Sequence, residues 1–123
     1  MAYKKRGEFM NSKELARTAA RLLDKRKGED ILIIDIAEKS SFADYFILVS
    51  AGSERQIGSL ADDVEEALAK DGLPVKNIEG TKGSGWILMD YGDMIINILT
   101  REMRERYNIE KVWVDCDNLP LEE

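Results

Sequence analysis

The chain has 123 residues, 24 acidic against 18 basic for a net charge of −6, no histidine and a single cysteine. One domain of that length can bury a hydrophobic core, while the missing imidazole excludes Ser–His–Asp and Cys–His catalysis and a Cys/His zinc site. No apolar run approaches the roughly 18 residues of a membrane span, Met1 to Phe9 lacks the apolar segment of a secretory signal, and the lone Cys116 fits a reducing compartment, so a cytoplasmic protein is expected.

In chain order, residues 1–9 read as an N-terminal extension or a cloning remnant, residues 10–116 as a single domain and residues 117–123 as an acidic, frayed tail. Ser12 is placed to cap a first helix, with Leu15, Ala16, Ala19, Leu22 and Leu23 at helical spacing. Lys25, Arg26 and Lys27 favour its C-terminal end and Gly28 suits its stop. Ile31 to Ile34 is a β-branched apolar run that predicts a strand buried on both faces, and Tyr45 to Val49 predicts a second. Ser53 and Gln56 have the spacing of a capping box, and Ile57, Leu60, Ala61, Val64, Ala67 and Leu68 follow on one helical face until Gly72 and Pro74.

Val75 to Ile78 predicts a short edge strand with Lys76 as a guard against edge pairing. After a glycine loop from Gly80 to Gly85, Trp86 to Met89 and Met94 to Leu99 predict a hairpin closed by Asp90-Tyr91-Gly92-Asp93. Arg101 to Tyr107 reads as a third helix and Lys111 to Val114 as a last strand. The pattern predicts an α/β fold: one mixed sheet of about five strands with helices packed on it. The unit from Tyr45 to Ile78 should be a right-handed parallel crossover, and the short links elsewhere imply antiparallel pairs.

Charge is unevenly placed. Residues 1–27 hold nine basic and three acidic residues, whereas residues 28–123 hold nine basic and twenty-one acidic, a net of −12. The asymmetry is either a solvated basic helix beside an ordinary acidic surface or an acidic body that favours a basic partner. On both readings base-specific nucleic-acid binding by residues 28–123 is disfavoured, because that surface repels phosphates. No phosphate-binding loop and no dinucleotide fingerprint occurs. Gly52-Ser53 at a helix start suits an anion, but the capping box already explains both residues.

Two readings of the hairpin compete. Asp90 and Asp93 could hold magnesium for nucleotidyl transfer, or they could serve the turn, where aspartate is favoured. Alternation places Trp86, Leu88 and Asp90 on one side of the strand and Ile87, Met89 and Tyr91 on the other. Both sides carry large apolar groups, so the strand is either core on both faces or presents an aromatic–aliphatic patch to a protein.

The ordered set Ala43-Asp44-Tyr45-Phe46, Gly52-Ser53-x-Arg55-Gln56, Gly85-Trp86-x-Leu88-x-Asp90-Tyr91-Gly92-Asp93, Arg104-Glu105-x-Tyr107 and Val112-Trp113 resembles the ribosomal silencing factor RsfS (Iojap) family. The resemblance covers Met10 to Trp113. It implies a nucleotidyltransferase-like sheet without catalytic residues, no cofactor and no metal. It also implies binding to the large ribosomal subunit through ribosomal protein L fourteen, which blocks joining of the small subunit and represses translation. Homodimers are common in the family, so a homodimer is among the expectations. The partner-binding residues it implies are Trp86, Leu88, Asp90, Tyr91 and Asp93. Trp86 and Tyr91 would be apolar anchors, with Tyr91 freed from strict alternation by the turn, and the two aspartates would meet Lys or Arg.

Overall fold

A computed structural model describes residues 2–5 and 8–122, with side chains for residues 11–122. Two short N-terminal strands, β1 (Ala2–Lys5) and β2 (Glu8–Asn11), pair antiparallel. Helix α1 (Ser12–Lys25) begins one residue earlier in capping terms than the sequence suggests. Asn11, not Ser12, accepts the Glu14 amide at 2.9 Å, as an asparagine cap does. Its face of Leu15, Ala16, Ala19, Ala20 and Leu23 is buried. At its end Lys27, rather than Gly28, takes the positive φ of 73°. Gly28 is needed for a different reason: a Cβ there would lie 2.6 Å from the Val49 side chain.

Strands β3 (Glu29–Asp35), β4 (Tyr45–Ala51), β5 (Asn77–Glu79), β6 (Trp86–Asp90), β7 (Met94–Thr100) and β8 (Asn118–Leu119) form one six-stranded sheet in the order β5-β6-β7-β4-β3-β8. The mixed α/β sheet is as expected, with one strand more. Only β4 and β7 pair in parallel; the other neighbours are antiparallel. Helix α2 (Glu54–Lys70) joins β4 to β5, which runs in the same direction but lies beyond β7 and β6. The crossover therefore spans two strands instead of joining neighbours. Ser53 caps α2 by accepting the Gln56 amide at 3.2 Å, and its hydroxyl donates to the Gln56 side-chain oxygen at 3.3 Å. Ile57, Leu60, Ala61, Val64 and Leu68 are buried.

Helix α3 (Arg101–Tyr107) is capped by Thr100, whose hydroxyl accepts the Met103 amide at 3.2 Å. The stretch read as a last strand is instead a 3-10 turn over Ile109–Trp113. Its Trp113 ring packs against Phe46 at 5.6 Å and Phe42 at 6.3 Å between centroids, so the segment lies across the sheet face rather than joining an edge. The frayed-tail expectation also fails: Asn118 and Leu119 pair with Ile34 and Ile33. Arg17 in α1 holds the following segment by donating to the Pro120 carbonyl at 3.3 Å.

The sheet has a core on each face. Ile33, Ile47, Val49, Ile57, Val64, Met89, Ile96 and Ile98 belong to the core under α1 and α2. Ile34, Phe46, Leu48, Ile95 and Leu99 belong to a smaller core under α3 and the 3-10 turn.

Candidate protein-binding face

Strand β6 keeps strict alternation. Ile87 and Met89 are buried in the core under the two long helices, while Trp86 and Leu88 are half-buried against the smaller core. The indole is held by its polar end, with Nε1 donating to the Asn97 Oδ1 at 3.0 Å. Asn97 is itself buried in β7 and its amide nitrogen reaches the Ile47 carbonyl at 3.5 Å. A polar side chain in the middle of Met94-Ile95-Ile96-Asn97-Ile98-Leu99 thus fixes the rotamer of a surface tryptophan. That interruption of an apolar run was the sequence signal for it.

The outer face of the indole meets Tyr107 of α3, with centroids 5.5 Å apart and planes tilted by 44°. Tyr107 is 53% exposed. Together with Leu88, Glu79, Gly80 and Ser84 the two rings line an open, mainly apolar cleft of about 330 Å³. The glycine loop forms one wall. Gly80 has φ of 80°, and a Cβ there would come within 2.1 Å of the Trp86 carbonyl oxygen, so a side chain is excluded by both conformation and space. Ser84 locks the loop by donating to the Thr81 carbonyl at 2.7 Å and accepting the Thr81 amide at 3.3 Å.

The five residues singled out from the sequence are divided by the sheet. Trp86, Leu88 and Asp90 share a face of β6. Tyr91 does not join them: it continues the alternation into the opposite core and is 0% exposed. Burial, and secondarily the charge of Glu65, hold its phenol above the usual tyrosine range, and its hydroxyl has no hydrogen-bond partner among the described residues. The tight turn does not break the alternation, because the Tyr91 amide still donates to the Met94 carbonyl at 2.9 Å. The Asp90 carboxylate accepts the Gly92 amide at 2.8 Å, an aspartate turn bond. The Asp93 carbonyl accepts the amides of Asp44 and Tyr45 at 2.8 and 3.0 Å, which ties the turn to the start of β4. Tyr107 is the residue the sequence reading left out of the site, although it stands in one of the quoted motifs.

At the far end of β4 and β7 a second polar cluster forms. Arg101 grips Glu29 with two hydrogen bonds of 2.6 Å each. That bond lowers the Glu29 carboxyl and raises the guanidinium. Arg104 is buried and reaches the Ser50 hydroxyl at 3.3 Å and Glu110 at 3.4 Å. Both arginines are engaged with this chain's own groups. Among the described residues no three Cys, Asp or Glu side chains come together as a metal-holding group, and no helix is long and apolar enough to cross a membrane.

The family model described as "Ribosomal silencing factor during starvation" matches residues 10–123. The chain belongs to the ribosomal silencing factor family. It is 34% identical over 107 residues to the ribosomal silencing factor RsfS of Bacillus subtilis, covering 87% of this chain and 91% of that one. It is 30% identical over 95 residues to the mouse protein named "Mitochondrial assembly of ribosomal large subunit protein 1", covering 75% of this chain and 42% of that longer one. The crystal structure of a Chromobacterium violaceum protein superposes with a TM-score of 0.81 at 30% identity, covering 85% of this chain and 88% of that one. The silencing-factor match begins at Met10, at the end of the residues read from sequence as an extension.

Proposed function

We propose that this silencing factor acts without chemistry, by docking on the large ribosomal subunit through ribosomal protein L fourteen and sterically blocking the small subunit, so that translation is repressed. The observation that carries the reading is the Trp86–Leu88–Tyr107 cleft. A half-exposed pair of aromatics beside an aliphatic side chain, held rigid from behind by Asn97, is what a protein anchor site requires. The acidic balance of residues 28–123 suits a basic ribosomal protein. The name of the mouse relative, which refers to assembly of the large subunit, points to the same particle. Asp90, at the other end of β6 from Trp86, and Asp93 in the turn that follows would supply charge complementarity, with Tyr91 supporting the turn from the core. We further propose a cytoplasmic homodimer whose working domain begins at Met10, with residues 1–9 outside it, and runs beyond residue 116 to take in β8, because Asn118 and Leu119 pair with β3.

Nucleotidyl transfer is the weaker reading. It needs carboxylates converging on a metal, and the Asp90 carboxylate is instead bonded to the Gly92 amide of its own turn.

Sedimentation of ribosomal subunits through a sucrose gradient with the purified protein tests the proposal. The expected result is co-migration with the large subunit and loss of the joined-ribosome peak. A joined peak unchanged at saturating protein would overturn it.

A further inference from the structure

Strand β5 is the last strand of the sheet, paired to β6 on one side and, among the described residues, to no strand on the other. Edge strands are usually protected by a charge, a proline or a bulge. The expected guard, Lys76, does not serve. Its ammonium end packs over the β6–β7 turn, where a Cβ at Gly92 would come within 2.7 Å of it. Pro74 lies before the strand. Asn77, Ile78 and Glu79 are all exposed, and Ile78, β-branched and apolar, is 41% exposed.

The edge is flanked by a recess on each face. Glu79 is opposite Leu88 and so borders the Trp86–Tyr107 cleft. Ile78 is opposite Met89 and so faces the other way. There it lines a groove of about 500 Å³ with Ile87 of β6 and Ala61, Asp62 and Glu65 of α2. An extended segment laid along β5 would send alternate side chains into the two recesses, because neighbouring strands share one alternation. Main-chain bonds at an open edge, with alternate side chains received on both sides, are the requirements of recognition by strand addition.

We propose that the open edge of β5, Asn77–Glu79, accepts an added β-strand from the basic ribosomal protein. Its alternate side chains would enter the Trp86–Leu88–Tyr107 cleft and the Ile78–Ile87 groove. The inference rests on the docking reading above and specifies its geometry. With three residues in β5 the main-chain contribution is short, so the recesses carry the specificity. The Ile78–Ile87 groove is balanced, with Asp62 and Glu65 against Arg55 and Lys82, so the preference for Lys or Arg in the incoming strand comes from Glu79 at the rim of the other cleft and from the net −12 of residues 28–123.

The test is NMR on the full chain, isotope-labelled, mixed with unlabelled recombinant ribosomal protein L fourteen. The expected result is a strand-type pattern of intermolecular contacts from the backbone protons of residues 77–79, with Ile78→Ser weakening binding about tenfold. A complex showing contacts from the Trp86 and Leu88 side chains but none from the backbone of 77–79 overturns strand addition while leaving the docking face in place. Failure to form a complex overturns both. Backbone contacts at 77–79 between labelled and unlabelled copies of this chain alone would assign the edge to a second copy, which also overturns the proposal.

Discussion

On one face of the sheet, helices of 14 and 17 residues lie over Ile47, Val49, Met89, Met94, Ile96 and Ile98, all of them buried. On the other face, a seven-residue helix and a 3-10 turn leave Trp86 and Leu88 half-buried and Phe42, Tyr107, Val112 and Val114 exposed. The same strands supply both faces, and both are apolar. What differs is the length of helix that covers them. Burial of apolar surface stabilises at about 25 cal/mol per Å², so the fully covered face supplies more of the folding free energy. The incompletely covered one keeps apolar area that a partner can still remove from water.

The sharpest way to break this comparison is to damage each face and read stability and binding separately. Leu60→Ala empties a buried position under α2 and should lower stability by about 2–5 kcal/mol through lost transfer energy and a residual cavity. Urea denaturation reads the change, and large-subunit affinity of the folded fraction should stay the same. An unmoved midpoint would mean that α2 does not seal this face. Trp86→Ala should show the reverse weighting. Affinity for the large subunit should fall by about 2 kcal/mol or roughly 30-fold, mainly through faster dissociation. Because the indole also satisfies Asn97, some stability is lost with it. Leu88→Ala, which leaves that hydrogen bond intact, separates the two effects. Wild-type affinity in a folded Leu88→Ala and a folded Trp86→Ala would remove the binding role from this face.

Ser53→Ala tests the covered face at its rim. It removes the acceptor of the Gln56 amide and should cost about 1 kcal/mol, measurable as a shift in the urea midpoint, with binding unaffected. Loss of binding instead would place the start of α2 in the partner interface.

Much of this division was legible in the sequence, for identifiable reasons. Helical spacing from Ile57 to Leu68 and the Ser53–Gln56 pair announce α2, and period-two alternation in Trp86 to Asp90 gives the face of each residue correctly. The errors have one physical source, tertiary contact. Val112-Trp113-Val114 has strand-forming residues, but Trp113 is drawn onto the rings of Phe42 and Phe46. Asn118-Leu119 lies in an acidic stretch yet finds the free edge of β3. Alternation places Tyr91 with Ile87 and Met89, as found, but the release at the turn that its anchor role requires does not occur, because the bond from its amide to Met94 keeps it in register. The site was partly legible. Alternation puts Trp86 and Leu88 on one side of β6, as found, but their proposed binding role comes from the family resemblance. Tyr107 meets Trp86 only when α3 folds back on the sheet, and no local pattern encodes that.

Tyr91 offers the smallest effect and a clean test of which face it serves. Its ring fills the covered core, while its hydroxyl is buried without a partner among the described residues. Removing such a hydroxyl relieves a desolvation cost, so Tyr91→Phe should leave stability at pH 7 unchanged or raise it by up to about 1 kcal/mol. Affinity for the large subunit should not change. The pH dependence adds a second reading. In the unfolded chain a tyrosine ionises near pH 10, whereas burial raises the Tyr91 value in the folded protein. Above pH 10 the unfolded state therefore binds fewer protons than the native state, and stability falls as pH rises. Below pH 10 this contribution is fully present. Tyr45 is raised as well, so Tyr91→Phe should make the alkaline decline shallower without abolishing it. Urea midpoints of both proteins at pH 7, 9 and 10.5 measure the difference. Parallel declines would mean that the Tyr91 phenol is not shielded in the folded state, and a loss of large-subunit affinity in Tyr91→Phe would return its hydroxyl to the binding face.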